Sequence, residues 1–139
     1  LVTLQAAILL PKLEAFIKYE LDAVNRVADL YTEHLSDLVQ TPLVPAGYYS
    51  SWAQYTIRLK SNEERDALQC HLKGKGIPSM VYYPRPLHAQ SVFSSLKLTP
   101  SMFLHSQKAA QTVLSLPIHP YMREEEVKQI IDAVREFFA

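Results

Sequence analysis

The sequence predicts an α/β domain in which a short, mostly antiparallel sheet is flanked by helices as a small αβ sandwich. Three observations predict it. The apolar spacing is helical up to Thr41, switches to a period of two across Ser51–Leu59, and afterwards alternates between short extended runs and helical runs. The 139 residues are enough for one hydrophobic core. The apolar and charged fractions, 48% and 20%, are those of an ordinary globular protein.

Two helices open the chain. In the first, Leu4, Ile8, Leu13, Phe16 and Ile17 form a rough apolar stripe, and Pro11 is expected to kink it because its ring removes a backbone donor. In the second, Val24, Val27, Ala28, Tyr31, Leu35 and Leu38 recur at three- and four-residue spacing. Thr41-Pro42 ends this helical half, and Pro45-Ala46-Gly47 makes a turn. A strand follows, with Ala53, Tyr55, Ile57 and Leu59 on one face and Trp52, Gln54, Thr56 and Arg58 on the other, both faces covered. Ser61 with Glu64 is a capping-box signature for a helix to about Lys73, where Gly74 and Gly76 permit its end. Ser79–Tyr83 reads as a short strand, 89–100 as loop, Met102–Val113 as a helix and Leu114–Leu116 as a strand stopped by Pro117. The last helix shows the cleanest stripe, Val127, Ile130, Ile131, Val134, Phe137 and Phe138, and its first turn is the solvated run Glu124–Glu126.

Composition excludes several classes of function. Fourteen basic residues balance fourteen acidic ones, and no basic face appears, which argues against a nucleic-acid or anionic-membrane partner. No apolar run is long enough to span a bilayer. The single Cys70 cannot form an internal disulfide and has no activating neighbour, so it reads as an inert thiol in a reducing, cytoplasmic setting. His34, His71 and His105 have no partners at ligand spacing, so no metal is expected. The chain opens on Leu1-Val2-Thr3-Leu4, without Met and already inside a helical pattern, and is expected to be a fragment of a longer protein.

The densest chemistry lies in Val81-Tyr82-Tyr83-Pro84-Arg85-Pro86-Leu87-His88-Ala89-Gln90. Two phenols, a guanidinium and an imidazole sit on a stretch that Pro84 and Pro86 hold in an extended loop. Together with Thr3–Leu10 followed by Lys12-Leu13, Gln54-Tyr55, Gly76-Ile77-Pro78, Leu114–Pro120 and the final helix from Glu125, this segment resembles the DegT/DnrJ/EryC1/StrS aminotransferases. The resemblance runs over nearly the whole chain and departs at Val2, where the family usually carries an acidic residue.

The resemblance implies a PLP-dependent nucleotide-sugar aminotransferase of bacterial polysaccharide, lipopolysaccharide or glycan synthesis, homodimeric and drawing its amino group from glutamate. It implies that residues 1–139 are the C-terminal domain, with 1–40 a helical connection and 41–139 the small domain of a fold-type I aminotransferase. The family's Schiff-base lysine, the Asp that pairs the pyridine nitrogen of pyridoxal 5'-phosphate and the Asn-x-Arg segment that reaches the partner subunit's cofactor lie upstream of Leu1, so no catalytic residue and no covalent cofactor site is expected in this chain; Lys12 does not match that lysine. Tyr82, Tyr83, Arg85 and His88 are assigned to substrate contact. Side chains alternate along an extended chain, so one tyrosine is expected to face the pocket, with Tyr83 preferred, and the other to pack in the core. Arg85 contacts phosphate or is a free loop cation, and His88 contacts substrate or braces the loop. His119 is read as structural, near a domain seam, and Trp52, Gln54 and Tyr55 as sheet and core. A sugar dehydratase of the same family, with His in place of the lysine, and a non-catalytic dimerisation or interaction module remain as alternatives.

Overall fold

The computed structural model describes residues 2–139. Helix α1 runs Thr3–Ala15, passes through a single π-helical turn at Phe16–Glu20 and continues as α2, Leu21–Leu35. Strand β1 is Tyr55–Arg58, α3 is Asn62–Gly74, α4 is Leu104–Thr112, β2 is Val113–Leu116 and α5 is Glu124–Phe138. Three short 3₁₀ turns occupy Leu87–Ala89, Ser91–Leu96 and Pro100–Phe103.

The expected sandwich is present with a smaller sheet than the sequence suggests. β1 and β2 pair antiparallel, Tyr55 against Leu116 and Ile57 against Leu114. These four side chains point to one face and are all buried. Helices α2, α3 and α5 close over that face, with Tyr31, Leu35, Leu68, Leu72 and Val134 completing the centre of the core. On the opposite face Thr56 and Ser115 share a hydroxyl hydrogen bond of 2.8 Å, but Gln54 and Arg58 stand exposed, so the second face is not fully covered as expected.

Ser79–Tyr83 does not form the predicted strand. Only Met80 pairs, exchanging both backbone bonds with Ser115. Pro78, two residues before it and so the next position on the paired side, has no N–H to extend the ladder, and the chain bends away at Tyr82. The strand at Ser51–Leu59 likewise shortens to four residues, and Trp52 takes a positive φ of 47°, which an extended strand does not use. In the first helix, the helical path continues through Pro11, and the irregularity falls instead at the π turn.

Caps explain the better-read elements. Ser61 Oγ accepts from Glu64 N at 3.2 Å as expected, while the Glu64 carboxylate reaches one residue further back, to Lys60 N at 2.8 Å. At the other end of α3, Ile77 N donates to Leu72 O at 2.9 Å and Gly76 N to Lys73 O at 3.0 Å, with Gly76 at φ +74°. That is the double-bonded C-terminal motif that needs a left-handed residue, and it buries Ile77 against Leu72. Glu126 caps α5 by accepting from Arg123 N at 2.9 Å.

Candidate functional site

The loop after Met80 leaves the sheet edge and turns sharply at Tyr82 and again at Pro84-Arg85. Both tyrosines are exposed, 41% at Tyr82 and 71% at Tyr83, so neither packs in the core as one was expected to. The backbone is bent here and strand alternation does not apply; the two rings meet edge to face, with centroids 5.7 Å apart. No hydrogen bond of either hydroxyl is formed among the described residues.

Tyr82 lines a cleft of about 240 Å³ between the loop and the open sheet face, together with Gln54, Ser79, Met80, Ser115 and Pro117. Tyr83, Arg85 and His88 do not line it. Arg85 is exposed; its carbonyl accepts from Gln90 Nε2 at 3.1 Å, while its guanidinium forms no ion pair among the described residues. His88 is half-buried and serves the loop: its ring stacks on Phe103 at 4.4 Å and its Nε2 accepts from the Gln107 amide at 3.2 Å. Thus Tyr82 and Tyr83 share a ring contact, Arg85 is exposed further along the same loop without contacting either, and His88 ties that loop to α4. His119 lies on the surface, with Nδ1 accepting from Tyr121 N at 3.2 Å. His71 Nε2 donates to Ala133 O at 3.0 Å, joining α3 to α5. Among the described residues no three His, Cys, Asp or Glu side chains come together as a metal site, and no helix is long and apolar enough to cross a membrane.

A second polar cluster went unread in the sequence. Glu20, at the end of the π turn and only 3% exposed, holds Lys12 Nζ at 2.6 and 2.8 Å and accepts from the Tyr121 hydroxyl. The Lys12 ammonium, then the Tyr121 hydroxyl, hold the Glu20 carboxyl below its usual range. The same bond, with the Tyr19 phenol beside it, pushes the Tyr121 hydroxyl up. Glu20 and Tyr121 lie 101 residues apart, so no local pattern announces the pair.

Similarity to known proteins agrees with this architecture. A model of the DegT/DnrJ/EryC1/StrS aminotransferase family matches residues 1–135. A "pleiotropic regulatory protein" of Geobacillus stearothermophilus is 39% identical over 97% of this chain and 36% of its own length. A UDP-2-acetamido-2-deoxy-3-oxo-D-glucuronate aminotransferase of Pseudomonas aeruginosa is 39% identical over 95% of this chain and 35% of its own length. The crystal structure of a DegT DnrJ EryC1 StrS aminotransferase from Brucella abortus superposes with a TM-score of 0.87 at 41% identity, over 96% of this chain and 35% of that one. The chain therefore spans about a third of the length of the relatives it matches. With the match running over all but its last four residues, the chain belongs to the DegT/DnrJ/EryC1/StrS aminotransferase family.

Proposed function

We propose that this chain is the substrate-side, C-terminal part of a PLP-dependent aminotransferase that moves an amino group from glutamate to a keto nucleotide-sugar, within bacterial glycan or polysaccharide synthesis. The observation that carries the reading is the 39% identity, over 95% of the chain, to the Pseudomonas aeruginosa aminotransferase, whose name specifies a UDP-linked 3-oxo sugar.

The exposed Tyr82, Tyr83 and Arg85 side chains fit that substrate class. A nucleotide-sugar brings a diphosphate and several hydroxyls; the Arg85 guanidinium suits the first, and the Tyr82 and Tyr83 phenols suit the second. His88 acts on the substrate through the loop, which it clamps against Phe103 and Gln107. Pyridoxal phosphate supplies the electron sink of such a reaction and needs an amine for its aldehyde and donors for its phosphate. The Tyr82 cleft is lined by neither Lys nor Arg, so its residues do not make a cofactor site. In this reading they orient the sugar and shield it from water while cofactor contacts come from elsewhere in the full enzyme.

The test is amino transfer by the full-length polypeptide. Glutamate with a UDP- or dTDP-linked 3-oxo sugar should yield 2-oxoglutarate and the amino sugar, read by mass. Arg85→Gln and Tyr83→Phe should each raise KM about three- to tenfold with little change in kcat, as loss of one ground-state hydrogen bond does. Absence of amino transfer to any keto nucleotide-sugar sinks the function, and unchanged KM in both variants removes the loop from the substrate.

A further inference from the structure

Arg58, Lys60 and Lys108 line one cleft of about 370 Å³, at the end of β1 where α3 begins. All three are exposed, and none forms an ion pair among the described residues. Two carboxylates share the cleft, and both are engaged. Asp37 takes both terminal nitrogens of Arg135, at 3.1 and 3.2 Å. Glu64 accepts from Lys60 N at 2.8 Å, beside the cap of α3. With Arg135 balancing Asp37, three positive charges face a single carboxylate. The chain as a whole has equal numbers of basic and acidic residues, so this excess is local.

The backbone that carries these cations is braced from both sides. Gln40 N donates to Arg58 O at 3.1 Å, and Arg58 N donates back to Gln40 O at 2.9 Å. Leu59 N donates to Thr112 O at 2.9 Å, and the Thr112 hydroxyl donates to Lys108 O at 2.8 Å. The turn of α4 that carries Lys108 is thereby fixed beside β1. Ile57 and Leu59 are buried, so Arg58 and Lys60 leave the chain on the opposite, open side. Like charges gathered by a rigid frame repel one another, and an anion placed among them reverses the sign of that interaction. The Arg58 guanidinium offers a planar fork to phosphate oxygens, and the two ammonium groups act as point charges beside it.

We propose that the cleft of Arg58, Lys60 and Lys108 binds a phosphate-bearing small molecule. A long polyanion is the poorer ligand, because the excess charge is confined to one cleft and a net charge of zero gives no extended field to gather a polymer. This cleft lies at the other end of β1 from the one that Tyr82 lines. Gln54 lines the Tyr82 cleft and precedes the strand, whereas Arg58 ends it, about 13 Å further along an extended chain. Binding here therefore does not depend on the substrate role proposed for the Tyr82 loop.

Calorimetric titration of inorganic pyrophosphate into the full-length polypeptide, at constant ionic strength, tests this. Wild type is compared with Arg58→Gln combined with Lys108→Gln, two exposed positions outside the core. The double variant should bind at least about tenfold more weakly, as loss of charge-assisted hydrogen bonds does. Hydrogen exchange at residues 58–64 should slow on adding pyrophosphate to wild type and stay unchanged in the double variant. Arg58→Lys combined with Lys108→Arg keeps both charges and should bind more tightly than the neutral pair. Equal affinity in wild type and the neutral variant overturns the proposal, as does exchange at 58–64 that pyrophosphate leaves unaltered. An equal loss in the charge-keeping variant assigns the effect to packing rather than to charge, and overturns it too.

Discussion

Arg65 shows how much a single buried cation can hold. It is 7% exposed; Nη1 donates to the carbonyls of Ala110 and Val113 at 3.3 and 3.4 Å, Nη2 to Asn62 Oδ1 at 2.8 Å, and Nε pairs with Asp66 at 2.6 Å. The guanidinium thereby satisfies carbonyls where α4 gives way to β2. Arg65→Leu keeps the apolar stem but leaves those carbonyls without a donor, so unfolding should become easier by about 2 kcal/mol in a urea titration. A loss below about 0.5 kcal/mol contradicts this account. Glu20 makes a pH-dependent contribution. Its folded value lies below the ordinary 4.5, so its stabilisation is complete above that pH and is lost as the pH falls through the folded value. Glu20→Gln should therefore lose stability at neutral pH and show a shallower fall than the parent chain as the pH drops below 4.5; equal slopes there rule the cluster out as an acid-sensitive tie. Neither role was legible in the sequence, because the carbonyls that Arg65 satisfies lie 45 and 48 residues away and the Tyr121 hydroxyl lies 101 residues from Glu20.

At the level of elements, those with local rules were legible and those decided by pairing were not. α5 carries its apolar stripe and acidic first turn in consecutive positions, and α3 carries its own cap and its own stop. The stop makes a direct test. Gly76 holds φ +74° with open space where an alanine methyl group would stand, so Gly76→Ala bears only the strain of the left-handed backbone. It should cost about 1 kcal/mol and leave the native contacts unchanged, measured as a shift in denaturant midpoint at constant slope. A neutral or stabilising result excludes the left-handed requirement. The strand at Ser79–Tyr83 failed because a short β-prone run says nothing of how many backbone groups a partner strand can pair, and Met80 alone pairs with Ser115. The candidate site was half legible for a related reason. Composition located the loop, but Tyr82 and Tyr83 were assigned directions from strand geometry that the bent backbone does not have. His88 braces the loop, one of its two readings, through Gln107 and Phe103, which a helix and a turn placed only by tertiary packing bring to it.

Over the whole molecule, the apolar surface is divided between a core that closes without α1 and a helix that closes nothing. The core, with Tyr31, Tyr55, Ile57, Leu72, Leu114 and Val134 at its centre, draws no residue from Thr3–Ala15. The two should therefore respond independently to substitution. Expressed by itself, the chain should associate through α1 at micromolar concentration. Because that helix is apolar on all sides, its contacts need not be two-fold and do not close, so a spread of sizes is expected rather than a defined dimer. Leu9→Gln combined with Leu13→Gln changes two exposed positions on one face and keeps a good helix-former at each. The double variant should sediment closer to a monomer while its thermal midpoint stays within about 2 °C of the parent, since no buried contact is lost. A large fall in the midpoint means that α1 belongs to the core after all. A parent chain that sediments as a clean dimer, undone by the double variant, means that a second copy suffices to cover this helix and overturns the expected spread of sizes.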